Sequence, residues 1–172
     1  MLYEHYKCWI PPVGKGVREI RLPDKSHRYE VGDADIIKRS SSAKEQYWER
    51  TPMPKGYAER LENEERQQET NPDFIDNELE SYRQQEWNRR LYGVWFYNKG
   101  VLTYLTGLHY FYLQWWYIDG GYPQYRDIDR RVFYVLQYCM EDPNCLGMLE
   151  VTSRRSGKTY RSGCWMYERI SR

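Results

Sequence analysis

The most constraining feature of this chain is an apolar run at residues 145–151 that leads directly into a loop ending in Gly-Lys-Thr. The run reads Cys-Leu-Gly-Met-Leu-Glu-Val and is bounded by turn residues, so it predicts a short buried strand. The residues that follow the loop, from Tyr160 onward, have the pattern of a helix. Strand, loop and helix in this order form the setting that a phosphate-binding loop requires.

The candidate loop covers residues 152–159, and its last three positions have the residue types that phosphate binding needs. Gly157 lacks a Cβ, so the backbone can come close to phosphate oxygens. Lys158 offers a point charge to the β- and γ-phosphates, and the Thr159 hydroxyl can ligate Mg²⁺. Amides at a helix N-terminus point at the anion, and the helix dipole favours it. The predicted site for ATP and Mg²⁺ comprises Thr152, Ser153, Arg154, Arg155, Ser156, Gly157, Lys158 and Thr159.

The match to the G-x-x-x-x-G-K-[ST] pattern is incomplete, because Thr152 stands at the position of the first glycine. A bare Gly-Lys-Thr also arises by chance. In that alternative, Gly157 is an ordinary left-handed turn, and Lys158 and Thr159 are surface residues. The apolar run before the loop and the helix pattern after it favour the nucleotide site.

Net charge, cysteine spacing and the composition of one uncharged stretch argue against several other classes of function. The chain has 26 Lys and Arg against 25 Asp and Glu, so no whole-chain charge attracts it to nucleic acid or membrane. The four Cys and three His lack metal-ligand spacing, which argues against a zinc site and is typical of reduced intracellular thiols. Residues 101–118 carry no formal charge but are crowded with Tyr and Trp, which favours a buried or interfacial helix over a membrane span.

The predicted organisation has two parts. Residues 1–72 form an N-terminal arm and a charged linker or helix, and residues 73–172 form a helical lead-in and the start of a P-loop domain. Within the arm, residues 19–22 have a strand pattern, 36–50 a short-helix pattern, and 57–70 the pattern of an exposed helix or linker. Apolar stripes with proline and glycine stops predict helices at 74–98, 101–117 and 125–141. The aromatic residues, which make up 17% of the chain, can either fill a core or cover an interface.

Residues 149–159, which read Leu-Glu-Val-Thr-Ser-Arg-Arg-Ser-Gly-Lys-Thr, resemble the Walker A segment of the large terminase subunit of tailed bacteriophages. That family often departs from the first glycine and commonly has an arginine three residues before the second, which here is Arg154. Residues 121–127, followed by a helix and the loop, are also similar to the family. In such ATPases residues near the start of that helix often contact adenine, which implies Gln124 and Arg126 here. The aromatic-rich residues 92–117 are similar to the N-terminal parts of some phage terminases.

The resemblance implies an ATP-driven motor that pumps double-stranded DNA into a procapsid in the host cytoplasm. Lys158 and Thr159 would bind the triphosphate and Mg²⁺, and Lys158 and Arg154 would be catalytic. Arg154 would stabilise charge on the γ-phosphate, and Arg155 is a second candidate for that region. The implied partners are DNA, a portal protein, a small terminase subunit and further copies of the chain in a ring, without a membrane.

The fold class predicted on this basis is an α/β P-loop NTPase, of which only the first strand and the P-loop helix are present, preceded by a mostly α-helical, aromatic-rich region. Such an ATPase needs a Walker B strand ending in Asp-Glu, and no apolar run in the chain ends that way. The acidic cluster of the family's nuclease domain has no counterpart either. The chain is therefore predicted to be an N-terminal fragment that does not hydrolyse ATP by itself. The alternatives are another P-loop ATPase, such as a helicase, and a non-enzymatic interaction domain with a chance Gly-Lys-Thr.

Overall fold

The computed structural model describes residues 19–21, 28–30, 35–37 and 48–171. The helices in this part of the chain are α1 (Tyr57–Gln68), α2 (Asn77–Tyr92), α3 (Gly107–Gln114), α4 (Asp127–Glu141) and α5 (Lys158–Ile170). The strands are β1 (Glu19–Arg21), β2 (Arg28–Glu30), β3 (Asp35–Ile37), β4 (Val94–Asn98) and β5 (Val101–Leu105).

The strands form two small sheets. Strands β1 and β2 are an antiparallel pair, and the second sheet has the order β3-β4-β5. In the second sheet β3 runs parallel to β4, and β4 runs antiparallel to β5 with Val94 opposite Leu105. The turn between β4 and β5 consists of Lys99 and Gly100, whose φ angles of 50° and 77° are both left-handed. Two positive φ values suit the twist of a two-residue hairpin, and this hairpin supplies two of the three strands of the second sheet.

Because of this hairpin, two of the predicted helices are wrong in part. The helix predicted at 74–98 ends at Tyr92, and the helix predicted at 101–117 is replaced by β5 and the short helix α3. Gly93 reverses the chain at φ 77°, where an added Cβ would lie 2.2 Å from the carbonyl oxygen of Leu105. The flanking runs are rich in Val, Tyr and other residues that fit a pleated, half-buried surface, and this preference outweighs the helical stripe.

Helix α2 also begins later than its sequence predicts. The pattern places the start near Asn71-Pro72-Asp73, but the cap is Asp76, whose Oδ1 accepts hydrogen bonds from the amides of Glu78 (3.0 Å) and Leu79 (3.2 Å). A capping carboxylate satisfies amides that have no partner within the helix. The boundary therefore follows the capping side chain rather than the proline.

Helix α3 lies at the centre of the fold, and all eight of its residues are buried. Thr106 caps it, because its hydroxyl accepts a hydrogen bond from the amide of His109 (3.2 Å). The helix packs against α2, α4 and α5. The core around it is strongly aromatic, so much of the Tyr and Phe content serves packing. Its cluster consists of Val94, Phe96, Leu105, Leu108, Tyr110, Phe111, Tyr112, Leu113, Phe133 and Cys164.

Helix α4 confirms the helix predicted at 125–141, but its apolar stripe is not its buried face. Ile128 is 57% exposed, and Val132 and Val135 are only partly buried. The face that enters the core carries Phe133 and Tyr138 instead. One side of α4 thus presents an aliphatic surface that the described residues do not cover completely.

The predictions for the N-terminal arm have mixed outcomes. Strand β1 confirms the strand pattern at Glu19–Arg21, whereas Leu22 lies outside the described residues. The helix predicted at 36–50 is wrong at its start, because Ile36 and Ile37 belong to β3 and pair with β4, which satisfies their backbone groups in a sheet. Residues 38–47 lie outside the described ranges, as do His5, Cys8 and His27.

The charged segment at 57–70 is a mostly exposed helix, as predicted. Its attachment to α2 is electrostatic: Glu64 is almost fully buried and pairs with Arg83 of α2 at 2.5 Å. Asp76, the cap of α2, accepts a bond from Arg60 of α1 at 3.1 Å. Helix α1 is therefore attached to α2 and its cap by two ion pairs, which a purely solvated helix would not need.

Candidate phosphate-binding site

The apolar run before the loop is not a strand in the described structure. Residues 145–151 form no regular element, and Leu146, Leu149 and Val151 are 103%, 76% and 80% exposed. The prediction of a buried strand is therefore wrong for these residues. A strand must pair its amides and carbonyls with a neighbour, and none of the described strands pairs with this segment.

The start of the helix after the loop agrees with its prediction. Helix α5 begins at Lys158, and Gly157 is its N-cap residue in the left-handed conformation, with φ 84° and ψ 11°. No side chain in the described part of the chain caps this end of the helix, although the amide of Arg161 bonds to the carbonyl of Gly157 at 3.2 Å. The first-turn amides of α5 are thus not occupied by a side-chain acceptor from the described residues, which is the condition for accepting an anion.

The cations of the loop are directed to solvent. Lys158 and Thr159 occupy the first two positions of α5 and are exposed, as are Arg154 and Arg155. None of these four side chains makes a hydrogen bond or ion pair with another described residue. Arg155 has a φ of 67°, an uncommon conformation for a residue with a Cβ. The loop therefore presents three positive charges and one hydroxyl that are available to a ligand.

A hydrogen bond closes the loop on itself. The hydroxyl of Ser156 donates to the hydroxyl oxygen of Thr152 at 3.0 Å. Thr152 is the residue that replaces the first glycine of the motif, so the departure from the pattern supplies a contact across the loop. Ser153, between them, is exposed.

Two arginines and one aspartate support the loop from its protein side. Asp129, on the first turn of α4, is fully buried and accepts bonds from Arg126 Nε at 2.7 Å and from Arg161 at 2.9 Å. The same Arg161 nitrogen donates to the carbonyl of Ser156 at 2.8 Å, and Arg126 reaches that carbonyl at 3.4 Å. The Asp129 carboxylate raises the pKa of Arg126. Arg126, predicted as a nucleotide contact, thus lies beside the loop.

Arg161 also contacts the segment before the loop. Its second terminal nitrogen donates to Oε1 of Glu150 in a short bond. Glu150 is therefore engaged by a buried guanidinium from α5, whereas Arg154 makes no ion pair with it. Arg161 itself is 3% exposed, so it belongs to the interior of the site rather than to its ligand-facing side. We refer to Arg126, Asp129, Glu150 and Arg161 as the brace.

Charge is distributed in two layers. The brace contains two arginines and two carboxylates that pair with one another. The outer layer contains Arg154, Arg155 and Lys158, which have no described acidic partner. Because the inner charges cancel, the outer positive charges dominate the field at the loop surface, which favours a polyanion.

A cleft of about 480 Å³ adjoins the loop. One wall is the aliphatic side of α4, with Ile128, Val132 and Val135, and the other is the segment 147–153. Arg126 and Ser156 are also among its lining residues, so one part of the cleft is polar and lies against the loop. Gln124, the other predicted adenine contact, is exposed and does not line the cleft.

Metal-binding groups of at least three His, Cys, Asp or Glu side chains do not occur among the described residues. Thr159 could offer one hydroxyl ligand to Mg²⁺, but both acidic groups of the brace are already bonded to Arg161. The residues present therefore fit a magnesium ion that receives most of its ligands from phosphate oxygens and water.

Comparison of the chain with protein-family models, with curated proteins and with solved structures gives no match. The helices of the described part also include none with the length and apolar character that crossing a bilayer demands.

Sequence reasoning did not identify the brace as a unit. Arg126 was predicted as an adenine contact, whereas Asp129 and Arg161 are not among the residues predicted for the site. The spacing places Arg161 about one turn after Lys158 on α5, but it does not indicate that the Arg161 side chain is buried beneath the loop. Nothing in the sequence shows that Asp129, which is 32 residues earlier, meets it there.

Proposed function

We propose that residues 152–159 bind the phosphates of ATP, and that the chain is part of a DNA-packaging ATPase of the large terminase type. The observation that carries the nucleotide site is the arrangement at the start of α5. Gly157 turns the chain, no described side chain caps the helix end, and Lys158 and Thr159 are exposed at consecutive positions. Free amides, a lysine and a hydroxyl at one helix N-terminus are groups that bind phosphate oxygens, and the hydroxyl can add one ligand to Mg²⁺.

The cleft beside the loop is the proposed position of the adenine base. Its aliphatic wall offers an apolar surface to a flat ring, and Arg126 and Ser156 line it next to the loop. Pockets for nucleotides usually combine a mostly apolar lining with a few placed polar groups. This assignment supports the role predicted for Arg126 but gives no support to Gln124.

The packaging role is proposed from the resemblance of residues 149–159 to the terminase Walker A segment. In this proposal Arg154 contacts the γ-phosphate as charge develops, double-stranded DNA is the substrate that moves, and several copies act as a ring on a portal protein in the host cytoplasm. The absence of a described carboxylate partner for Arg154 supports its availability for that contact.

A second candidate is a non-enzymatic interaction domain in which Gly-Lys-Thr has no role. The exposure of residues 145–151 favours this candidate, because the first strand of a P-loop domain is normally buried between neighbouring strands. In that case Lys158 and Thr159 would be ordinary surface residues, and the chain would bind ATP no better than any basic surface.

Binding of MgATP to the chain, measured by isothermal titration calorimetry, separates these candidates. The proposed site predicts saturable binding that Lys158→Ala weakens about tenfold or more, since a charged contact is worth about 1.5–3 kcal/mol. Lys55→Ala is the matched control, because Lys55 is an exposed lysine in the turn before α1. No saturable binding, or equal losses for the two lysines, would rule out the phosphate site.

A further inference from the structure

The carbonyl of Ser156 is held by two guanidinium groups at the point where the loop enters α5. Arg161 donates to this oxygen at 2.8 Å, and Arg126 approaches it at 3.4 Å. Both arginines are fixed in turn by the buried carboxylate of Asp129. The orientation of one peptide group, that between Ser156 and Gly157, is therefore set by residues of both α4 and α5.

Fixing this carbonyl also fixes the neighbouring amide. The chain has no cis peptide among the described residues, and in a trans peptide the C=O and N–H point in opposite directions. With the Ser156 carbonyl directed at Arg161, the N–H of Gly157 must point away from the brace. A flipped peptide would instead direct that N–H at a guanidinium, which is itself a donor and cannot accept it.

Glycine makes this restraint necessary. Gly157 has a φ of 84°, and a glycine can exchange between left-handed and other conformations at low cost. Without a fixed carbonyl on its N-terminal side, the Ser156–Gly157 peptide could rotate and remove one amide from the surface offered to a phosphate. The brace selects one of these orientations before a ligand arrives.

We propose that Asp129 and Arg161 are positioning residues for phosphate binding, acting by holding the Ser156 carbonyl so that the Gly157 amide remains directed at the ligand. This proposal rests on the proposed function, because it assigns a role to the brace at the same loop. Neither residue touches the phosphate. Arg161 acts through the peptide group, and Asp129 acts through Arg161.

Two variants alter the brace without removing its bulk. Asp129→Asn keeps the shape of the side chain but removes the charge that two arginines share. Arg161→Lys keeps the positive charge but cannot hold Asp129, Glu150 and Ser156 together with the planar fork of an arginine. Asp127→Asn is the matched control, because Asp127 is an acidic residue of the same helical turn that pairs with Arg130 and Arg131 instead.

Calorimetric affinities for MgATP and for inorganic tripolyphosphate test the proposal in the complete chain. We expect Asp129→Asn and Arg161→Lys each to weaken both ligands about tenfold, as for loss of one charge-assisted contact, and Asp127→Asn to bind like the unaltered chain. The measurement is made at a temperature where circular dichroism shows each variant folded. If one brace variant fails to fold, the other decides the outcome.

The ¹H–¹⁵N NMR signal of Gly157 supplies a readout that loss of stability alone would not move. Without ligand, this signal should shift or broaden in both brace variants and stay unchanged in Asp127→Asn. Full affinity in both folded brace variants, or an unchanged Gly157 signal, would overturn the positioning role and leave the nucleotide site intact. Failure of the unaltered chain to bind either ligand would instead remove the proposed function, and the positioning role with it.

Discussion

Gln114 and Thr51 are joined by two hydrogen bonds. The side-chain amide of Gln114 pairs with the backbone N–H and C=O of Thr51, as a neighbouring strand would. The amide of Thr51 donates to Oε1 of Gln114 at 2.9 Å, and Nε2 of Gln114 donates to the carbonyl of Thr51 at 2.8 Å. Arg50 adds a bond from its Nε to the backbone carbonyl of Gln114 at 2.7 Å. The segment before α1 is thereby fixed to the C-terminal end of α3, in the centre of the core.

Gln114→Leu should lower the free energy of unfolding by about 1–3 kcal/mol, because it leaves two backbone groups of the partly buried Thr51 without their partners. Urea unfolding followed by circular dichroism measures the loss. Gln84→Leu is the control, since Gln84 is exposed and bonds only to Glu80 on its own helix among the described residues. We expect that control to change stability by no more than about 0.5 kcal/mol; equal losses would mean that the paired bonds to Thr51 contribute little.

Gly107→Ala should destabilise the fold more strongly. A Cβ at Gly107 would lie 1.8 Å from the carbonyl oxygen of Arg90 and 2.5 Å from its carbon, so the last turn of α2 and the first turn of α3 would have to separate. We expect a loss of about 3 kcal/mol in the free energy of unfolding, at the upper end of overpacking costs. Gly121→Ala, where an added Cβ meets nothing within 4 Å, is the control and should remain near the stability of the unaltered chain.

Acid should destabilise the chain through His109. The ring lies between Tyr125 and Phe133, with centroid distances of 5.8 Å and 5.0 Å, and neither of its nitrogens has a hydrogen-bond partner among the described residues. Burial, together with the charges of Arg130 and Arg126, lowers the pKa of His109 from 6.5 to about 3. The folded state therefore keeps this ring neutral in a range where the unfolded chain binds a proton.

The direction of the effect follows from proton counting. Between pH 6.5 and about pH 3 the unfolded state binds more protons at His109, so this stability is complete above pH 6.5 and is lost as the pH falls. From pH 7 to pH 5 the expected loss is about 2 kcal/mol. Urea unfolding at both pH values measures it, and His109→Leu should abolish this part of the difference. If the variant retains the full pH dependence, another group is responsible.

The helices were predictable where one local signal decided them. Helix α4 has a regular aliphatic repeat and a proline stop after it, and the left-handed Gly157 marks the start of α5. The β4–β5 hairpin was missed although Lys99-Gly100 separates two runs rich in β-formers, because the same residues also show a helical stripe and Gly100 is an equally good helix stop. Deciding between the two patterns requires tertiary contacts, here the pairing of β4 with β3.

The residues of the candidate site also fall into two groups: those that the sequence predicts and those that only the structure brings together. The residues that face a ligand, Lys158 and Thr159, are adjacent in sequence and could be proposed from a motif. The brace joins Asp129 of α4 to Arg161 of α5, and no pattern in one chain reveals a contact between such distant residues. The buried strand predicted at 145–151 failed for a related reason, since an apolar run indicates burial without showing what would cover it.

Lys158→Ala and Arg154→Ala should separate two roles in the candidate loop. Lys158 lies at the first position of α5, where its ammonium can contact the phosphates before and during phosphoryl transfer, so its loss should weaken MgATP binding and abolish turnover. Arg154 is exposed, and Glu150, the neighbouring carboxylate that could have held it, is bonded to Arg161. A guanidinium that meets the γ-phosphate mainly as charge develops lowers kcat rather than affinity when it is removed.

For Arg154→Ala we therefore expect an affinity for MgATP within about threefold of the unaltered protein, well below the roughly tenfold effect of a lost charged contact. Single-turnover hydrolysis, measured in a form of the protein that cleaves ATP, should fall by about 10³-fold, as for other arginines that stabilise this transition state. Arg169→Ala, which removes an exposed arginine from the last turn of α5 at the opposite end of the helix, is the matched control and should leave hydrolysis nearly unchanged. Hydrolysis at the unaltered rate in Arg154→Ala would remove its catalytic role and leave the assignment of Lys158 standing, because binding and turnover depend on different contacts in this loop.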